Sequence, residues 1–271
     1  MAGPSKRSWT RWGTFGLVLA SLAAAIGLGV WYFRPRPLLS PEDPPELSYQ
    51  KIIDAYGGEE ALERWKTGRL EYEVEYDFPE VGKWSAHFQE TFQLPGKLRR
   101  EMVLTLKGSI SKTVLVADGK SLWTKDDKQG IKTFESNPYQ EAHCVEIVRG
   151  FHPKYLLNEG KEMYAGGVTA ERSRVLDLVL KVPYGERELR ECRVDVHTAK
   201  VSQFFGPILL PAEAGHTEFW YRFSDYKSTP GGPVPHRMIA DREGRTLIDL
   251  RFTLIDLDTP IDPNSFAPPR D

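Results

Sequence analysis

From residue 69 the chain alternates. Leu70, Tyr72, Val74, Tyr76 and Phe78 are apolar, and Arg69, Glu71, Glu73, Glu75 and Asp77 fill the gaps, which predicts a strand with one buried and one wet face. The alternation returns in Trp84, Ala86, Phe88 and Phe92 against Ser85, His87, Gln89 and Thr91, and a third strand is predicted over 98–106. Alternation of this kind belongs to antiparallel sheets with one solvated face; parallel strands, covered on both sides, read as continuous apolar runs. Asp118-Gly119 offers the two positive-φ residues of a type I′ turn, which predicts a hairpin between 114–117 and 120–123. Further strands are predicted over 174–182, 190–196, 201–205, 218–226, 235–240 and 245–257.

Helical signals are few. Ser48 is placed to cap a helix that puts Ile52, Ile53 and Tyr56 on one face, and Gly57-Gly58 interrupt it before a second turn over 59–65. Asn137, Pro138 and Gln140 form the start of a capped helix carrying Val145, Ile147 and Val148. A short helix is predicted near Pro153 with Tyr155, Leu156 and Leu157. The doublets Gly57-Gly58, Gly166-Gly167 and Gly231-Gly232 have no GxxxxGK or GxGxxG frame and read as turns, not phosphate loops.

Residues 13–33 hold no charge over 21 positions, and about 20 apolar residues are enough to cross a hydrocarbon core as a helix. Trp12 precedes the run and Trp31, Tyr32 and Phe33 close it, as at bilayer interfaces. Lys6, Arg7 and Arg11 favour a cytoplasmic N terminus (residues 1–12) and an exported C-terminal part. A cleaved signal peptide is the alternative, because Ala23 and Ala25 offer an A-x-A pattern, but the apolar run continues eight residues beyond it. Residues 34–47 contain five prolines and predict an extended spacer, which leaves 48–271 as one folded domain.

The first 36 residues contain five basic side chains and no acid, while the whole chain carries a formal charge of −2. The folded part is therefore acidic, against nucleic-acid binding, which calls for a basic face. Cys144 and Cys192 are too few for a zinc site or a CxxC pair; they are either one disulfide or two buried thiols. Among the six histidines no HExxH or similar ligand spacing occurs, so no metal or cofactor is implied. Asp195 and His197 share a strand face but suit a solvated turn, and His143 and Cys144, adjacent on a helix, point about 100° apart. The acidic residues of the strands fall on the wet face, and no catalytic residue is nominated.

What remains is the apolar face of a long sheet of about eleven strands with few helices to cover it. The fold class is α+β, mainly antiparallel β, and that face either forms a closed core or leaves an apolar pocket.

The segment LPGKLRREMVL followed by VADGKSLW, and the C-terminal stretch FSDYKSTPGGPVPHRM, RTLIDLRFTLIDL and DTPIDPNSFAPP, resemble the LolA/LolB-like superfamily of bacterial lipoprotein carriers over roughly 48–269. The resemblance implies a strongly curved, unclosed β barrel whose helices cover a hydrophobic cavity that takes up acyl chains. The cavity residues would be Tyr72, Val74, Tyr76, Phe88, Phe92, Met102, Leu104, Trp123, Leu178, Leu180, Phe219, Tyr221 and Phe223. Leu94 stands where the family carries an arginine before the proline, and this, with the anchor, points away from a soluble shuttle. The expected function is non-catalytic binding of membrane lipid or an acylated lipoprotein at the periplasmic side of a bacterial inner membrane. The alternative is an envelope sensory or protein-interaction scaffold without bound lipid, since the fold also resembles the lipoprotein-like half of envelope-stress regulators.

Overall fold

A computed structural model describes residues 37–79, 81–94, 96–127, 130–135, 151–157, 164–170, 176–184, 188–207, 218–257 and 259–269. The expected membrane segment 13–33, the capped helix at Asn137, and His143, Cys144 and His216 lie outside the described residues. No helix among the described residues is long and apolar enough to cross a membrane.

Among the described residues thirteen strands form a single sheet: β1 Thr67–Phe78, β2 Gly82–Gln93, β3 Lys97–Leu106, β4 Ser109–Asp118, β5 Ser121–Asp126, β6 Gly130–Glu135, β7 Tyr164–Ala170, β8 Leu176–Tyr184, β9 Glu188–Asp195, β10 Val201–Pro207, β11 Glu218–Thr229, β12 Gly232–Arg242 and β13 Arg245–Asp256. Every neighbouring pair is antiparallel, as the alternation predicts. The spatial order runs β6 to β1, then β13 down to β7. The first strand thus pairs with the last, and β6 and β7 are the two edges of an unclosed sheet. These edges are the strands the sequence reading lacks. β6 is short, and Gly166-Gly167, expected as a turn, lies inside β7 where the register slips between Ala165 and Gly167, the usual place for glycine in a strand.

The hairpins also depart from expectation. Asp118 does not take a positive φ; its carboxylate accepts the N–H groups of Lys120 and Ser121 (2.8 Å each), and Gly119 alone is left-handed at 88°. Self-capping by Asp gives a wider turn closed by the Ala117–Leu122 pair. Two-residue turns with both φ positive occur instead at Lys107-Gly108 (49° and 80°) and Glu243-Gly244 (53° and 78°), the geometry that matches the twist of flanking strands.

The folded unit begins at Leu38, not at Ser48. The Leu38 and Leu39 amides both donate to Val196 O, and Leu39 is buried. Helix α1 spans Pro45–Ala55, because Pro45 supplies the fixed φ suited to a first helical turn; Ser48, expected as the cap, lies inside the helix and is buried. Helix α2 (Gly58–Glu63) and the 3-10 turn Arg64–Lys66 follow, and α3 spans Pro153–Leu156. Ile52, Ile53, Tyr56, Leu62, Trp65, Phe151, Leu156 and Leu157 join one core cluster with a single face of the sheet, hereafter the inner face.

Two anchors fix the helices on it. Tyr226 Oη donates to Val201 O (2.6 Å), Val201 N–H donates to Tyr56 Oη (3.2 Å), and the hydroxyls lie 3.1 Å apart, so the Tyr56 proton completes the loop to Tyr226. Val201 borders a bulge in β10, where the ladder is interrupted and side chains satisfy the backbone. Trp65 Nε1 donates to Gly231 O (2.9 Å), and a Cβ at Gly232 would sit 1.8 Å from Tyr56 O. The Gly231-Gly232 turn is therefore bare so that α1 can touch the strand backbone.

Candidate functional site

Cross-strand partners share a face, so the register maps the inner face row by row. One row runs Leu180, Cys192, Phe204, Tyr221, Ala240, Ile248, Tyr76 and Trp84 across eight strands. The next holds Phe223, Met238, Leu250, Val74, Ala86 and Leu104; a third holds Phe252, Tyr72, Phe88 and Met102. Ten of the thirteen nominated residues, Tyr72, Val74, Tyr76, Phe88, Phe92, Leu178, Leu180, Phe219, Tyr221 and Phe223, are buried in the core. Phe151, just ahead of α3, stands among them. Its ring meets Phe223 edge-on at 5.8 Å and Phe252 at 4.8 Å, and Phe252 in turn meets Tyr72, which stacks on Phe88 at 4.8 Å.

Met102 and Leu104 lie on the same face but are half-buried, as are Leu115 and Trp84. Trp84 stacks on Tyr76 at 3.6 Å, with its Nε1 buried and without a hydrogen-bond partner. Among the described residues the apolar face is thus closely covered at β11–β13 and β1, and less so on β2–β4 at Trp84, Met102, Leu104 and Leu115, although Ala86, Phe88, Phe92, Leu98 and Ala117 there are buried.

Trp123 is a correction. It pairs with Val116, whereas its neighbour Leu122 pairs with the core residue Ala117, so Trp123 belongs to the opposite, outer face. Two adjacent apolar residues leave the phase of β5 undecided in sequence. Val116 is nevertheless buried, outside the main core; the C-terminal 3-10 turn Pro263–Phe266 packs against β3 and β4, with Phe266 buried and Lys97 Nζ 5.8 Å from its ring.

A second correction concerns the acids. Glu90 is on the inner face, between Leu70 of β1 and Arg100 of β3, in the row that continues to Leu115. Its side chain is fully buried. Oε1 accepts from Tyr72 Oη at 2.7 Å and from Arg100 Nε at 2.5 Å, while Oε2 is buried with no partner. Burial, reinforced by the Glu90 charge, pushes the Tyr72 phenol well up, so it is a hydrogen-bond donor throughout. The signal is present in sequence: Glu90 has the phase of Phe88 and Phe92, and Arg100 that of Leu98 and Met102.

The other described candidates make structural contacts. Asp195 Oδ1 accepts the amides of His197 (2.9 Å) and Thr198 (2.7 Å), which shapes the β9–β10 turn. Cys192 carries a free thiol that burial pushes well up, the opposite of an activated nucleophile. His152 is buried edge-on to Trp65 at 5.7 Å; Nδ1 accepts the Lys154 amide (3.2 Å), which leaves Nε2–H to donate to Leu62 O (3.3 Å). Burial lowers its pKa to about 4, so the ring is neutral near pH 7. Among the described residues no three His, Cys, Asp or Glu side chains group as a metal site.

These features define a mainly antiparallel, unclosed sheet with an apolar inner face under short helices. Solved structures of this shape include a DUF1329-family protein of Desulfovibrio piger (TM-score 0.53, 10% identity, 83% of this chain and 97% of that one) and a LolA-superfamily protein of Nitrosomonas europaea (0.52, 10%, 81% and 97%). A domain assigned to outer-membrane lipoprotein sorting in Vibrio parahaemolyticus is similar too (0.50, 10%, 84% and 97%). The chain therefore shares the fold of these structures. No family model and no curated protein sequence matches it.

Proposed function

We propose that this protein is a non-catalytic, extracytoplasmic binder of membrane lipid or of an acylated lipoprotein. In this reading residues 13–33 tether it to a bacterial inner membrane and residues 38–271 stand in the periplasm. The observation that carries it is the uneven cover of the inner face. Met102, Leu104 and Trp84 are only half-buried, yet they continue the apolar rows of the core without a break, and half-buried Leu115 ends the row that Glu90 and Arg100 interrupt. An acyl chain laid along that flank is removed from water, favourable by about 0.8 kcal/mol per buried CH₂. Tyr72, Val74, Phe88 and Phe223 then form the floor, with the Phe151 ring marking how deep a chain passes without displacing the protein's own side chain. The fold shared with the LolA-superfamily protein supports this reading, as does the domain assigned to lipoprotein sorting that shares it.

The test is mass spectrometry of the full chain purified from membranes. A lipid or acylated peptide bound at defined stoichiometry is expected, and lost on Leu104→Arg. Recovery of the chain free of any acyl compound, with an unchanged profile in that variant, contradicts the proposal.

A further inference from the structure

The Tyr72–Glu90–Arg100 cluster is unexplained by a purely apolar binding face. A charged pair inside a core is disfavoured relative to well-packed hydrophobic residues unless its remaining hydrogen-bonding positions are filled. Here they are filled on one side only: both donors converge on Glu90 Oε1, and Oε2 faces none. The cluster also stands at a boundary. Leu70 beside it is buried, Leu115 on its other side is half-buried, and the Arg100 side chain keeps 19% of its surface exposed. A ligand arriving along Met102 and Leu115 reaches the cluster from its more open side.

We infer that Glu90 Oε2 accepts a hydrogen bond from a neutral O–H or N–H group of the bound amphiphile, and that this selects ligands carrying such a donor next to the acyl chain. The inference rests on the acyl-binding reading above. The donor is neutral because Arg100 already balances the carboxylate, and a second cation would meet the guanidinium. It is a donor because the carboxylate oxygens act as acceptors in this cluster, Oε1 toward Tyr72 and Arg100. A group that fills a buried charged acceptor is favoured over one that leaves it empty.

The test compares 1-monoolein with methyl oleate, which share an acyl chain but differ in hydroxyl donors. The full-length chain in dodecyl maltoside is equilibrated with each tritiated lipid, and the bound fraction is measured after gel filtration. Wild type is expected to bind monoolein about tenfold more tightly or better, the discrimination expected of one hydrogen bond to a charged group. In the triple variant Tyr72→Phe, Glu90→Leu, Arg100→Met the two lipids are expected to bind alike. Equal binding by wild type, or a preference that survives in the triple variant, overturns the inference and leaves the acyl-binding reading standing. Binding of neither lipid removes both. Infrared difference spectra of the wild type serve if the variant does not fold: monoolein is expected to shift a carboxylate stretch that methyl oleate leaves in place, and identical spectra overturn the inference.

Discussion

Removing Arg100 alone leaves the buried Glu90 carboxyl without its cationic partner and with one hydrogen bond, from Tyr72. Arg100→Met keeps most of the side chain's apolar volume, so the effect reports the loss of the guanidinium's polar contacts. Breaking a buried ion pair from one side costs about 3–5 kcal/mol, and the Glu90 side chain, with no exposed surface, has no solvent to turn to. Adding Glu90→Leu and Tyr72→Phe removes the charge and the unmatched acceptor together, and such wholesale replacement is commonly neutral or stabilising by about 1–4 kcal/mol. The expected order of urea midpoints is therefore triple variant at or above wild type, and Arg100→Met well below both. An Arg100→Met midpoint within about 0.5 kcal/mol of wild type would refute the argument, since that is the range of an ordinary surface substitution.

Five other sites give further expected outcomes. Phe151→Ala removes a ring packed between Phe223 and Phe252 and is expected to cost about 3–5 kcal/mol while raising affinity for oleate by titration, because the lost ring opens the floor of the binding face. His152 destabilises the fold on acidification: its folded pKa of about 4 lies below the usual 6.5, so its contribution is complete above pH 6.5 and falls away down to pH 4, by ~3 kcal/mol in all. The stability difference between wild type and His152→Gln, followed by urea unfolding, should shrink over that window; a constant difference argues against a buried neutral ring. Tyr226→Phe strips Val201 O of its donor and is expected to cost about 1–3 kcal/mol in chemical denaturation. Gly244→Val, at φ 78° in a two-residue turn, should lower the thermal midpoint, whereas Gly119→Asn should be tolerated because a single left-handed position suits Asn.

The legible part of the fold is the phase of the long strands. β1 and β2 alternate cleanly, and their register places Leu70, Tyr72, Val74, Tyr76, Ala86, Phe88 and Phe92 in the core. Where alternation fails, so does the reading. β5 sets Leu122 beside Trp123, and β7 carries a glycine doublet at a bulge. The Asp118-Gly119 turn differs from expectation because the Asp118 carboxylate satisfies the turn backbone, while the two-residue turns with both φ positive fall at Lys107-Gly108 and Glu243-Gly244, which carry no Asn-Gly or Asp-Gly signal. The helix start moved for a similar reason: two prolines at 44 and 45 fix the first turn before Ser48 can cap it.

The charged cluster was readable but hidden by a rule of thumb. Acids in alternating strands are usually on the wet face, and Glu71, Glu73 and Glu75 obey, yet Glu90 keeps the phase of its apolar neighbours. Only the register, which sets Glu90 across from Arg100 and beside Tyr72, explains how a carboxylate tolerates that position. The half-covered flank at Met102 and Leu104 was beyond sequence altogether, since depth of cover depends on where α1 and Phe151 come to rest.

The most direct test uses the methyl groups of methionine. In protein labelled with ¹³C at methionine methyls, added oleate is expected to give nuclear Overhauser contacts between its chain methylenes and the Met102 methyl, which lies on the loosely covered flank of the inner face. Oleate that leaves the Met102 methyl without contact and unshifted, at concentrations where it binds the protein, would show that the chain lies elsewhere and contradict the account.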